Sequence, residues 1–135
     1  MLRIPSSLEE LPHVDAEVER IARDMGFGDE ACADLGICVT EAAGNAITHA
    51  HHERPDMYVD IRFEQLPDAL RVVVRDHGSG FDVEKIPDPT LPENLMKSSG
   101  RGLHVIRSLM DGVEVKRMTD GMSIVMIKKL DTSAP

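Results

Sequence analysis

The chain is short of rings, thiols and positive charge. Tryptophan is absent, Tyr58 is the single tyrosine, and three phenylalanines complete an aromatic content of 3%. That argues against stacking of successive bases as a main binding mode, and it leaves Leu, Val, Ile, Ala and Met to fill the interior. Cys32 and Cys38 are the only cysteines. With no CxxC pair and no second cluster they do not make a zinc site, and two reduced, half-buried thiols are expected. Lys and Arg number 15 against 24 Asp and Glu, a formal net charge of −9, which opposes broad attraction to nucleic acid or anionic lipid. No stretch approaches the roughly 20 apolar residues that span a bilayer, and the N-terminus has no cleavage-like segment. The expected compartment is the cytoplasm.

What is present suits one domain, since 135 residues leave no room for two cores and a linker. Ser7 stands three residues before Glu10, a capping-box spacing, and Leu8, Leu11, Val14, Val18, Ile21 and Ala22 follow at helical intervals to Gly26 or Gly28. Asp29 is the expected cap of a second helix, whose stripe of Leu35, Val39, Ala42, Ala43, Ala46 and Ile47 reaches about Ala50. The period then changes to two. Met57, Val59, Ile61 and Phe63 alternate with polar residues, and after Pro67-Asp68 so do Leu70, Val72 and Val74, which predicts a hairpin ending at Asp76.

Residues 77–101 form the one long irregular stretch, read as a ligand-covering lid. A short amphipathic helix carrying Leu103, Val105, Ile106, Leu109 and Met110 opens after it, and Asp120-Gly121 predicts a closing hairpin of Val113–Val115 with Met122–Leu130. This order predicts an α+β fold: a two-layer α/β sandwich whose mixed, mostly antiparallel sheet carries helices on one face.

Three constellations carry chemistry. On the second helix Glu41 and Asn45 lie one turn apart, flanked by Ala42, Ala43, Gly44 and Ala46. An ordinary solvated face is the bland alternative, but such small neighbours suit close packing. An amide oxygen is a neutral hard ligand for Mg²⁺, and a carboxylate can accept a hydroxyl proton. Asp76-His77-Gly78-Ser79-Gly80-Phe81 follows a strand. It reads either as a turn or as a carboxylate and close-approaching backbone set around a flat ligand. Ser98-Ser99-Gly100-Arg101-Gly102-Leu103 places glycine-flanked amides at a helix start, a ready anion site or simply a glycine-rich lead into the helix. The sequence contains neither a Walker A motif nor a strand–GxGxxG–helix fingerprint.

In this order and spacing the three resemble the nucleotide site of the GHKL ATPase and kinase superfamily, which includes gyrase, sensor histidine kinases and anti-sigma kinases. The Asn box is Glu41-Ala-Ala-Gly-Asn45-Ala-Ile-Thr-His49-Ala50, and the glycine boxes are Asp76-His-Gly78-Ser-Gly80-Phe81 and Gly100-Arg-Gly102-Leu103. Val39-Thr-Glu41-Ala, Ile106-Arg-Ser-Leu-Met110-Asp111 and Gly121-Met-Ser-Ile-Val are most similar to the anti-sigma serine-protein kinase branch.

The resemblance implies the Bergerat ATP-binding fold, with ATP and Mg²⁺ as cofactors. Asn45 would hold Mg²⁺ against the phosphates, Glu41 would orient or deprotonate the attacking hydroxyl, and Asp76 would receive the adenine amino group. Gly78 and Gly80 would pass close to the base, Gly100, Arg101 and Gly102 would cradle phosphate ahead of Leu103, His49 would support Asn45 or Glu41, and Ser123 would lie near the adenine. The implied function is a serine/threonine protein kinase that phosphorylates an anti-anti-sigma (STAS) protein and, in another state, sequesters a sigma factor. The implied oligomer is a homodimer. The alternatives are a nucleotide-binding capture module without phosphotransfer and a sensor histidine kinase catalytic domain. The second is disfavoured because no dimerisation helix with a phosphoacceptor histidine is recognisable.

Three features are read as bland. His51 and His52 are expected to face solvent, Met118, Met122 and Met126 to fill the core, and Lys128-Lys129 is too short for a nucleic-acid patch.

Overall fold

Alternating apolar residues build the sheet, and residues at three- and four-residue intervals build the layer that covers it. A computed structural model describes residues 1–50, 57–77, 102–118 and 121–130. In chain order these form β1 (Leu2–Pro5), a 3₁₀ turn (Leu8–Glu10), α1 (Leu11–Met25), α2 (Asp29–Asn45), a π turn (Ala46–Ala50), β2 (Tyr58–Leu66) and β3 (Ala69–Asp76). They continue with α3 (Gly102–Leu109), β4 (Gly112–Met118) and β5 (Gly121–Lys129). The strands lie in the order β1-β2-β3-β5-β4, and every described pairing is antiparallel. The α+β sandwich expected from the sequence is the fold observed, with the described sheet antiparallel throughout and not mixed.

The hairpin of β2 and β3 closes at Pro67-Asp68, with Leu66 opposite Ala69, and its register sets Val59 and Ile61 beside Asp76 and Val74. Because directly opposed residues share a face, Val59, Ile61, Val72, Val74, Ile124 and Met126 all point to the helices. They join Val14, Val18, Ile21, Leu35, Val39 and Ile106 in one core. Ile4 of β1 belongs to the same core. β1 pairs with β2, Leu2 against Ile61 and Ile4 against Val59, and sequence periodicity had given no sign of it. Four residues ending in proline are too few to show a period.

The helix boundaries depart from expectation in instructive ways. Ser7 caps the 3₁₀ turn, accepting from the Glu9 amide at 3.4 Å, and α1 begins only at Leu11 with Pro12 in its first turn. α1 ends as expected at Gly26, whose φ of 100° permits its amide to reach the Ala22 and Arg23 carbonyls. α2 is capped by Gly28, with Asp29 as its first residue. Gly36 sits on the buried face of α2, where an added Cβ would fall 2.2 Å from Oδ1 of Asp15 on α1. Both cysteines are fully buried, not half-buried, because their face of α2 belongs to the core where α2 packs against α1 and β3. The last hairpin links Met118 to Gly121 across residues 119–120, so Gly121 is a strand residue, not a turn residue.

Candidate active site

The last turn of α2 presents Glu41 and Asn45, both half-buried, while Ala42, Ala43, Ala46 and Ile47 around them are buried. The small side chains let the helix lie close to its neighbours, so a carboxylate and an amide emerge from a well-packed surface. Beyond Asn45 the helix widens into the π turn that carries Thr48 and His49, and such bulges recur at functional sites. The His49 side chain lies outside the described residues, as do His51 and His52.

Asp76 ends β3, the central strand, which packs against both α2 and the π turn. Its carboxylate is buried at 3% exposure, and Oδ1 accepts from the backbone amide of Met122 on β5 at 3.1 Å. A buried carboxylate needs such donors to offset its lost hydration. Gly121, with φ of +149°, lies against it: a Cβ there would fall 2.1 Å from the Asp76 carbonyl oxygen and 3.0 Å from Oδ1. This is a cradle that any side chain would fill. Sequence reasoning missed Gly121 and the Met122 amide because Asp120-Gly121 read as a turn, and the only available signal was the glycine itself.

Ser123 is buried at 6% exposure but stands opposite Arg75, not Asp76. Alternation along β5 turns it to the sheet face away from Asp76, so the structure does not bring the two together. Gly102 opens α3, whose Leu103 and Ile106 are buried and which packs against α2. Gly78, Gly80, Gly100 and Arg101, and with them nearly all of the stretch read as a lid, lie outside the described residues.

Next to Asp76, the His77 Nε2 lies 2.6 Å from Oδ2 of Asp60 on β2. The Arg3 guanidinium of β1 donates to both oxygens of that carboxylate, at 2.6 and 3.0 Å, and sits 5.8 Å over the Tyr58 ring. Arg3, aided by His77, holds the Asp60 carboxyl below the usual carboxylate range, against the opposing effect of burial. On α2 burial pushes the Cys38 thiol up to about 11, with the Asp34 and Glu41 carboxylates adding to it. That thiol is inert packing.

The donor set can be tested against a Mg²⁺-nucleotide. Among the described residues no three His, Cys, Asp or Glu side chains converge on a metal position. Mg²⁺ characteristically takes one or two protein oxygens and completes its shell with phosphate and water, so the amide of Asn45 beside the carboxylate of Glu41 fits it. A buried acceptor at Asp76 fits a ligand with an amino group. A separate cavity of about 840 Å³ at the other end of α2, lined by Asp29, Asp34, Asp111 and Lys128 among others, contains none of these residues. No helix among the described residues is long and apolar enough to cross a membrane.

Residues 4–128 match the family described as histidine kinase-like ATPase domain. The serine-protein kinase RsbW of Oceanobacillus iheyensis is 30% identical over 133 residues, covering 94% of this chain and 84% of that protein. RsbW of Bacillus subtilis is 30% identical over 136 residues, covering 96% and 84%. RsbW of Listeria innocua is 32% identical, covering 96% and 86%. Among solved structures, the histidine kinase domain of the Erythrobacter litoralis blue-light activated histidine kinase superposes with a TM-score of 0.58 at 23% identity. That match covers 94% of this chain and 62% of the solved one, and it bears on the fold alone.

Proposed function

Because this chain belongs to the family of histidine kinase-like ATPase domains, we propose that it uses Mg²⁺-ATP to phosphorylate a serine or threonine of an anti-anti-sigma (STAS) protein and, in another state, holds a sigma factor. It is a serine-protein kinase, as its relatives over nearly the whole chain are. The observation that carries the reading is Asp76: a carboxylate buried at 3% exposure, tied to the Met122 amide and roofed by a glycine, on the strand that packs against the helix bearing Glu41 and Asn45.

In this reading Asp76 accepts a hydrogen bond from the exocyclic amino group of adenine. Glu41 accepts the proton of the attacking hydroxyl as its oxygen bonds to the γ-phosphorus, and the bond from that phosphorus to the bridging oxygen breaks to release ADP. Asn45 and His49 support the metal-phosphate end, where Mg²⁺ neutralises phosphate charge when bound. Gly78 and Gly80 let backbone approach the base. Residues 77–101 cover the nucleotide, and Gly100, Arg101 and Gly102 cradle its phosphates. The sigma factor, the STAS substrate and the homodimer rest on the resemblance in the motifs, and the cytoplasmic location is proposed with them. A net charge of −9 is compatible with ATP as ligand, since a metal, backbone amides and one arginine can neutralise phosphate locally.

Incubation with Mg²⁺-ATP and a candidate STAS protein should yield a phosphoserine or phosphothreonine on the latter. Tight binding of that protein and of ATP without transfer would favour the capture module and sink the kinase reading.

A further inference from the structure

Asp76 and His77 are consecutive residues held on opposite faces of the sheet. Asp76 points to the helices and is fastened to β5 through the Met122 amide, whereas His77 reaches Asp60, which stands opposite Arg75 on the outer face of β2. The end of β3 is thereby gripped from both faces and by both neighbouring strands. The outer grip is itself anchored, because Asp60 is only 13% exposed and takes both its hydrogen bonds to Arg3 from edge strand β1.

From this geometry we infer that the chain Arg3–Asp60–His77 is a positioning device for the nucleotide site, fixing the peptide plane after Asp76 and so the direction of its carboxylate. The inference rests on the reading of Asp76 as the adenine acceptor. The amide nitrogen of residue 77 is bonded to the Asp76 carbonyl carbon, so a side chain at position 77 held to β2 restrains the peptide plane the two residues share. The Asp60 carboxylate is the centre of the device, bonded to Arg3 of β1 on one side and to His77 at the end of β3 on the other. Arg3 is 56% exposed, but its two parallel bonds to the 13% exposed Asp60 carboxylate fix an orientation that a single-contact ion pair does not.

The test is ATP affinity, by calorimetry with Mg²⁺-ATP, for wild type, Asp60→Asn, His77→Phe, the double variant and His77→Gln. Each of the first two substitutions is expected to raise Kd about five- to tenfold, the size of one ordinary hydrogen bond's net contribution. The double variant should be no weaker than either single, because both cut the same chain, and His77→Gln, which can still donate to Asp60, should recover most of the affinity. Glu64→Gln breaks the 2.7 Å pair with Arg71 at the far end of the same two strands and should leave Kd unchanged, which separates positioning from general loosening of the hairpin. Unchanged Kd in Asp60→Asn and His77→Phe, or an equal loss in Glu64→Gln, overturns the inference while leaving the ATP site standing. Failure of the wild-type protein to bind ATP would overturn the functional reading itself.

Discussion

The backbone amide of Met122 donates to Oδ1 of Asp76 at 3.1 Å, from a strand 46 residues further along the chain. The acidic residue of the first glycine box is thus aimed by the last strand as well as by its own. Replacing Asp76 with Ala should remove the adenine acceptor and leave the part-buried Met122 amide without this partner. ATP affinity is expected to fall at least about tenfold, with a stability loss of about 1–3 kcal/mol. Titration calorimetry and denaturant unfolding measure the two separately, and undiminished affinity would remove Asp76 from the site.

Gly121 offers a sharper packing test. Alanine there must adopt a φ near +149° and place its Cβ against the Asp76 carbonyl oxygen, a backbone atom that cannot swing aside. A loss of about 1–3 kcal/mol from the strained conformation alone is expected, together with weaker ATP binding. A urea midpoint equal to that of wild type would contradict the observed register of β5.

Glu41→Gln keeps the size and most of the packing of the side chain while removing its basicity. Transfer to the protein substrate should fall about 10²- to 10⁴-fold, with ATP affinity little changed. Single-turnover transfer of labelled phosphate decides it, and retention of the wild-type rate would take the proton-accepting role from Glu41.

Acid should weaken the outer grip on β3. The Asp60 carboxyl has its pKa lowered in the folded chain by Arg3 and His77, so its contribution to stability is complete above the ordinary carboxylate value and is lost as pH falls through the lowered one. Between wild type and Asp60→Asn, the difference in unfolding free energy should therefore shrink as pH is taken below about 4. A difference that stays constant from neutral pH into that range would argue against the ion pair.

Alkali acts through Cys38. Its thiol is raised to about 11 when folded, so above the ordinary thiol range the unfolded chain releases a proton that the folded chain keeps. Stability should fall as pH rises from about 9 toward 11, and Cys38→Ala should flatten that slope. In native protein at neutral pH a thiol reagent should label neither cysteine before unfolding, since both are fully buried.

Much of this architecture was legible residue by residue. The period-two runs of β2 and β3, the glycine stop of α1 and the apolar stripe of α2 are local patterns, and each appears in the structure where the pattern lies. Glu41 and Asn45 share a turn of α2 for the same reason: helical spacing alone sets residues four apart on one side. β1 was not legible, because Leu2–Pro5 acquires meaning only by pairing with a strand more than 50 residues away. The face that Ser123 occupies was not legible for a related reason. Which face it occupies depends on the register between β5 and β3, and a shift of one residue exchanges the two faces.

By itself, the sequence determined the α+β class, the helix and strand periods and the residue types able to handle a metal, a proton and an amino group, since these depend on neighbours within one turn or one strand. Tertiary structure alone decided that Asp76 is buried against the Met122 amide, that Gly121 has no space for a side chain, and that Arg3, Asp60 and His77 form one chain across three strands. Each of those is a contact between strands, and its existence depends on strand order and register. Those are settled by the packing of the whole core.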